Sequence, residues 1–169
     1  ATHVTDAFVP SKSYIRSGDF SADAKAYGYF FMPEDLKNYS IRVRENFVNQ
    51  SAKSNDDEHP ARVVYISRKD AGHRFTTNET EAVDALRPFG IHYVTATEVP
   101  ITALARIIYQ ADVVISAFGA AMLNICAARP GTTLIEIDHP AQDWIGLRVC
   151  QVLGYHHVVC TRFLGQRGN

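Results

Sequence analysis

Short apolar runs rich in β-branched residues alternate with helical segments from Arg62 onward, and this alternation constrains the fold more than any other feature of the sequence. The runs that we predict to be strands are RVVYIS, IHYVTA, DVVIS, TTLIEI and HHVVC. The segments that separate them, which we predict to be helices, are NETEAVDALRPFG, PITALARIIYQA, GAAMLNICAA and QDWIGLRVCQVLG. Strands that alternate with helices form a parallel sheet with helices on both faces. The sequence therefore predicts the α/β class, with a Rossmann-like, doubly wound and mainly parallel sheet.

The first part of the chain does not share this regular pattern. We interpret residues 1–60 as an irregular and helical lead-in segment and residues 61–169 as the Rossmann-like domain. Within the lead-in segment, Leu36, Tyr39, Val43 and Phe47 recur at helical spacing, which predicts an amphipathic helix. The polar stretch that follows, SAKSNDDEHPA, is typical of a surface loop.

Charge and cysteine content bear on partners and location. The formal net charge of −1 gives no basic field, so we predict no nucleic-acid partner. No apolar run approaches the ~20 residues that a membrane-spanning helix needs. The three cysteines, Cys126, Cys150 and Cys160, lie in apolar stretches without CxxC spacing, which favours buried free thiols. We therefore predict a cytoplasmic location, free or peripheral to a membrane, while glycosylation sequons at Asn38, Asn49 and Asn78 leave the secretory-pathway lumen as an alternative.

Polar residues follow several of the predicted strands, and in an open parallel sheet ligands bind outside the carboxyl ends of the strands. The candidate binding residues at these positions are Arg68, Arg74, Ser116, Phe118, Gly119, Ala120, Ala121 and Glu136. Arginines pair with phosphate oxygens, a helix N-terminus offers N–H groups, and a carboxylate accepts hydrogen bonds from ribose hydroxyls. The set is compatible with binding of a nucleoside diphosphate.

Each candidate also has a purely structural interpretation. Arg68 and Arg74 are compatible with ordinary surface charge, and the turn at Gly119 lacks the GxGxxG and GxxxxGK[ST] patterns, so small residues there could serve close packing alone. Glu136 is either paired with an arginine or functional. We expect Asn124, inside an apolar helix, to tie neighbouring backbone together.

The seven histidines do not show the spacing of a metal site, and we predict no bound metal. His73 and His139 lie near the predicted site and are weak candidates for an acid or base, with a solvated surface histidine as the alternative. His156 and His157 begin a strand, which places them at the end of the sheet opposite to the site. Asn78 can cap the first helix of the domain, with Glu81 completing a capping-box-like pair.

Three segments in order, SRKDAGHRFTTNETE, FGIHYV and ADVVISAFGAAMLNICAARPGTTLIEI, together resemble the family-61 glycosyltransferases. The resemblance extends from about Arg62 to Pro140. The residues that match the family pattern in order are Arg68, Arg74, Asn78, Glu79, Glu81, Ala111, Asp112, Gly119, Ala120, Asn124, Gly131, Thr132 and Glu136.

The resemblance implies the nucleotide-binding half of a GT-B glycosyltransferase, which uses a nucleotide-sugar donor and needs no cofactor or metal. By this resemblance Arg68 and Arg74 neutralise the diphosphate, the Gly119–Ala121 turn presents N–H groups to it, and Glu136 holds ribose or sugar hydroxyls. Asn78, Glu79 and Asn124 support the site structurally. The acceptor is a polysaccharide, another glycan or a lipid-linked acceptor, and its binding surface comes from an N-terminal domain not evident in this sequence or from a second copy of the chain.

Two positions of the turn depart from the family pattern, and the preceding helix ITALARIIYQ lacks the Glu-Gln pair that this helix often carries in the family. Phe118 stands where the family turn usually carries histidine, and Ala121 replaces the usual second glycine. Loss of the histidine removes a hydrogen-bond donor or proton-transfer group. The alternative to an active transferase is therefore a non-catalytic remnant or nucleotide-binding module of the same fold, in which Phe118 stacks on a base or sugar.

Overall fold

The structure is a computed structural model that describes residues 33–48, 62–70, 78–137 and 145–160. Within these ranges the α-helices are α1 (Pro33–Val43), α2 (Glu79–Leu86), α3 (Ile101–Gln110) and α4 (Ile145–Leu153). The strands are β1 (Val63–Ser67), β2 (Ile91–Thr95), β3 (Val113–Ala117), β4 (Thr133–Ile137) and β5 (His156–Cys160). A π-helical turn, Arg44–Val48, continues α1, and 3₁₀ helices span Arg87–Phe89 and Ala120–Ala127. We refer to Ala120–Ala127 as the long 3₁₀ helix.

The five described strands form one sheet in which every neighbouring pair is parallel, in the order β2-β1-β3-β4-β5. This arrangement confirms the predicted α/β class with a Rossmann-like parallel sheet. The strand and helix bounds also lie close to those predicted from the sequence. The predicted helix QDWIGLRVCQVLG is described from Ile145 onward, since residues 142–144 lie outside the described ranges.

The main hydrophobic core lies on one face of the sheet. Because side chains alternate between the faces of a strand, every second residue contributes to this core. The contributing strand residues are Val64, Ile66, Val94, Val114 and Leu134, and the covering residues include Leu104 and Ile108 of α3, Ile125 of the long 3₁₀ helix and Val149 of α4. Burial of each such aliphatic side chain contributes about 1.5–3 kcal/mol to folding.

The opposite face of the sheet carries α2. On this face Tyr65 of β1 stacks on Tyr93 of β2, with ring centroids 5.9 Å apart. Tyr65 is fully buried, and the Tyr93 hydroxyl bonds to Glu79 in the first turn of α2. Helices therefore cover both faces, as the sequence predicts.

Asp112 ties together the amino ends of the central strands. Its carboxylate accepts hydrogen bonds from Arg62 and Arg129, and the hydrogen bond from Arg62 lowers the pKa of Asp112 below its usual value. Its backbone carbonyl accepts the N–H of Thr133, the first residue of β4. Asp112 therefore connects the amino ends of the strands, which lie opposite to the predicted site.

The predicted amphipathic helix is confirmed as α1, and it belongs to the same core as the sheet through Leu36. Three side chains donate hydrogen bonds to carbonyls at the end of the long 3₁₀ helix. Ser40 bonds the Cys126 carbonyl at 2.6 Å, whereas Arg44 and Tyr155 bond the Ala128 carbonyl at 2.9 and 2.8 Å. The division of the chain at residue 60 stays a prediction, because residues 49–61 lie outside the described ranges.

We predict that Ser40→Ala lowers the free energy of unfolding by about 1–3 kcal/mol, because the Ser40 hydroxyl is fully buried and its loss leaves the Cys126 carbonyl without this donor. Urea denaturation measures the change. The matched control is Thr102→Ala, which removes an exposed hydroxyl from α3 and should have little effect. Equal effects of the two substitutions would contradict the assigned role of Ser40.

Candidate functional site

The strand order changes direction between β1 and β3. The chain proceeds from β1 to β2 on one side of the sheet and then returns to place β3, β4 and β5 on the other. In doubly wound sheets with this order, ligands bind outside the carboxyl ends of the strands at this switch point. The residues that directly follow β1 and β3 are Arg68 and Phe118, so the topology places them at the expected binding position.

Arg68 connects the ends of β1 and β3. Its Nη1 donates a hydrogen bond of 2.9 Å to the backbone carbonyl of Phe118. A guanidinium has five N–H donors in a rigid planar fork, so one bond to a carbonyl leaves it able to bind further oxygen acceptors. Phe118 is only 5% exposed, and its backbone carbonyl is the group that accepts the hydrogen bond from Arg68.

Gly119 makes this position of Arg68 possible. Its backbone has φ 139° and ψ −169°, which L side chains rarely adopt. A Cβ at Gly119 would lie 1.5 Å from the Arg68 Nη1 atom. The conformation and the contact therefore both require glycine, which explains the turn better than helix–sheet packing alone.

The remaining residues of the turn have mainly backbone roles in the described structure. Ser116 is fully buried, and its hydroxyl lies 3.2 Å from the Ala117 carbonyl. Ala120 and Ala121 begin the long 3₁₀ helix, whose first hydrogen bond runs from the Met122 N–H to the Gly119 carbonyl at 3.0 Å. Asn124 donates from Nδ2 to the Ala121 carbonyl at 2.8 Å, in agreement with a backbone-tying role.

Glu79 fixes the segment that carries Arg68. The Glu79 Oε1 atom lies 2.5 Å from the Ser67 hydroxyl and 2.7 Å from the Tyr93 hydroxyl. The Ser67 oxygen also accepts the backbone N–H of Lys69 at 3.0 Å, which closes a turn around Arg68. The carboxylate of Glu79 in α2 thus holds Ser67, the last residue of β1, in place.

The capping pair predicted for α2 is wrong. Asn78 occupies the N-cap position, but its side chain makes no capping hydrogen bond. The backbone carbonyl of Asn78 accepts the Ala82 N–H at 3.1 Å. In the first turn of α2, the carboxylate of Glu79 accepts a hydrogen bond from Ser67 of β1. Contact with β1 and β2 therefore takes the place of a capping box at this helix start.

The polar residues that follow β1 and β2 bond to one another. Lys69 Nζ lies 3.1 Å from Glu98 Oε1, and this hydrogen bond raises the pKa of Lys69. The Thr97 hydroxyl donates to Asp70 Oδ2 at 2.5 Å. These pairs direct Lys69 toward β2, whereas Arg68 is directed toward β3 at the switch point.

Glu136 is buried, and its carboxylate forms a hydrogen bond with a histidine. His157 Nε2 lies 2.7 Å from Glu136 Oε2, and the side chains are 7% and 5% exposed. As predicted, His156 and His157 begin β5 and lie opposite Thr133 and Leu134 at the amino end of β4. The His157 side chain nevertheless reaches Glu136. The signal in the sequence was the alternation in HHVVC, which places His157 on one face of the edge strand and His156 on the other.

Burial differs among the three cysteines. Cys126 and Cys150 are buried free thiols, as predicted, and desolvation raises the pKa of each to about 12. The prediction for Cys160 is wrong, because this residue ends the edge strand β5 and is exposed. The two buried thiols stay protonated and are therefore unsuited to act as nucleophiles.

The candidates Arg74, His73 and His139 lie outside the described residues. Across residues 33–48, 62–70, 78–137 and 145–160, no group of three or more His, Cys, Asp or Glu side chains is placed to hold a metal ion. In the same ranges, the helices are all too short or too polar to span a membrane.

The family model described as Glycosyltransferase 61 matches residues 4–135. The match includes the lead-in segment together with the strands that carry Arg68 and Gly119. Among curated proteins, no sequence matches the chain.

We predict that Gly119→Ala displaces the Arg68 side chain and weakens binding of anions at the switch point, because the added Cβ occupies the position of the guanidinium. Isothermal titration with inorganic pyrophosphate, on the substituted and the native chain, measures the effect. Gly131→Ala is the control, since Gly131 also has positive φ (87°) but nothing lies within 4 Å of its added Cβ. Equal losses in the two variants would show that backbone strain, and not contact with Arg68, is responsible.

Proposed function

Because the chain belongs to glycosyltransferase family 61, we propose that it binds a nucleotide-sugar donor at the carboxyl edge of its sheet and serves in transfer of the sugar to a glycan or lipid-linked acceptor. The observation that carries this proposal is the position of Arg68. Its guanidinium lies between the ends of β1 and β3, where the strand order changes direction.

A guanidinium at this position suits a diphosphate. Arginine binds phosphate oxygens through parallel N–H donors, and the bond to the Phe118 carbonyl fixes the orientation of the fork before a ligand arrives. Gly119, which lies next to the guanidinium, has no side chain, so a phosphate group can approach the backbone closely there. In our proposal Arg74 supplies a second positive charge.

The proposed chemistry is metal-independent. Transfer of the sugar breaks the bond between its anomeric carbon and the diphosphate, so negative charge increases on the departing nucleoside diphosphate. Fixed positive charge beside the phosphate stabilises this group more in the transition state than in the donor. Arg68 and Arg74 would provide that charge, and Glu136 would accept hydrogen bonds from ribose or sugar hydroxyls.

The acceptor side requires a further surface. In a GT-B arrangement the acceptor and the catalytic base belong to a second Rossmann-like half that faces the nucleotide-binding half. We propose that this half is a separate domain or a second copy of the chain. Neither His73 nor His139 is needed as the base under this proposal.

A donor-binding module without turnover is the second candidate function, and Phe118 favours it. The family turn usually carries histidine at this position, whereas the phenyl ring of Phe118 has no proton to transfer. Such a module would keep the Arg68 contact through the backbone of the turn and lack the group that assists the reaction.

We predict that the chain binds at least one of UDP-glucose, UDP-galactose and GDP-mannose, and that Arg68→Ala weakens this binding about tenfold or more through loss of a charge-assisted contact. Arg68→Lys should recover part of the affinity, because an ammonium keeps the charge but not the fork. Isothermal titration calorimetry measures both.

The matched control is Arg62→Ala, at the amino end of the same strand, which should leave donor affinity unchanged. Absence of binding to all three donors by the native chain would refute the donor site. An Arg68→Ala variant with native affinity would refute its location.

We predict that Phe118→His raises the rate of donor hydrolysis above that of the native chain, since it restores a proton-transfer group at the turn. Release of nucleoside diphosphate measures the rate, and thermal unfolding monitors the cost of placing an imidazole at a buried position. Phe89→His is the control, because Phe89 is 69% exposed and distant in sequence from the turn. An unchanged rate in a folded Phe118→His variant would contradict this role of the histidine.

A further inference from the structure

The buried pair of Glu136 and His157 joins two neighbouring strands, β4 and β5. Glu136 is the penultimate residue of β4, and His157 is the second residue of β5. The hydrogen bond between His157 Nε2 and Glu136 Oε2 is 2.7 Å long, and both side chains are more than nine-tenths buried. A buried carboxylate is costly unless it is paired, and the imidazole of His157 provides such a partner.

Close packing restricts the carboxylate from the other side. A Cβ added at Gly146 of α4 would lie 2.2 Å from Glu136 Oε2 and 3.0 Å from the sulfur of Met122. Glycine at position 146 therefore leaves the space that the Glu136 carboxylate occupies. The Oε2 atom thus lies next to His157 of β5 and to Gly146 of α4.

Glu136 also lies beside β3, the strand that leads into the turn at Gly119. It pairs in register with Ser116 of β3, and β3 leads directly into Phe118 and Gly119. The pair is thus one strand away from the switch point, on the face covered by the long 3₁₀ helix.

We propose that His157 is a positioning residue that holds the Glu136 carboxylate in one orientation for the hydroxyl groups of the bound donor. This inference rests on the proposed function and extends it to a residue in a different strand. His157 acts through Glu136 and does not itself touch the donor. A fixed carboxylate binds a hydroxyl more tightly than one that must first be ordered, because the ordering cost is met during folding.

The test measures donor affinity by calorimetry for the native chain, His157→Gln, His157→Leu, Glu136→Gln and the double variant His157→Leu/Glu136→Gln. The probes are UDP-glucose, UDP-galactose and GDP-mannose. We expect His157→Leu to weaken binding about tenfold, and His157→Gln to recover part of the loss through its amide N–H. We expect the double variant to bind no more weakly than Glu136→Gln alone, because both substitutions remove the same contact.

A matched control is His156→Gln, which alters the adjacent exposed histidine on the other face of β5 and should leave affinity unchanged. Additive losses in the double variant, or native affinity in a folded His157→Leu variant, would overturn the proposal. If His157→Leu does not fold, native affinity of Glu136→Gln overturns it equally. These outcomes are separate from failure of the proposed function, in which the native chain binds none of the probes.

Discussion

The hydrogen bond from Arg68 to the Phe118 carbonyl is the contact on which the proposed site depends. It joins the ends of β1 and β3, the two strands between which the sheet order changes direction. The contact requires glycine at position 119, because any Cβ there would overlap the guanidinium. One charged side chain and one glycine thus convert the crevice that the topology creates into a surface suited to an anion.

The rest of the fold holds this contact in place from several directions. Glu79 of α2 fixes Ser67, the residue before Arg68, through hydrogen bonds that also include Tyr93. At the opposite edge, Asp112 holds Arg62 and Arg129 and so anchors the amino ends of the same strands. Ser40 of α1 donates a hydrogen bond to the Cys126 carbonyl near the end of the long 3₁₀ helix. This bond stabilises the helix that begins directly after Gly119.

Strand and helix positions could be predicted from the sequence. Short β-branched runs, such as those around Val64 and Val114, alternate with segments whose apolar residues recur at helical spacing. The residues after the strands were also predictable, since carboxyl ends of parallel strands meet at one edge. The strand order was not, because periodicity does not specify which strands are neighbours. The partner of Glu136 was missed for the same reason: pairing of β4 with β5 alone brings His157 to it. The local sequence pattern likewise predicts that Asn78 caps α2. In the structure its side chain makes no capping hydrogen bond, and Glu79 instead bonds to Ser67 of β1.

The central claim is that the donor binds at the carboxyl edge beside Arg68, and its most direct test is the map of backbone amide chemical shifts during titration with a nucleoside diphosphate. The account predicts that the shifts of Arg68, Gly119 and Ala120 change first and saturate together. The amides of Asp112 and Thr133, at the amino edge of the same strands, should stay unchanged. Saturable changes that cluster at the amino edge, with the Arg68 and Gly119 amides unaffected, would contradict the account.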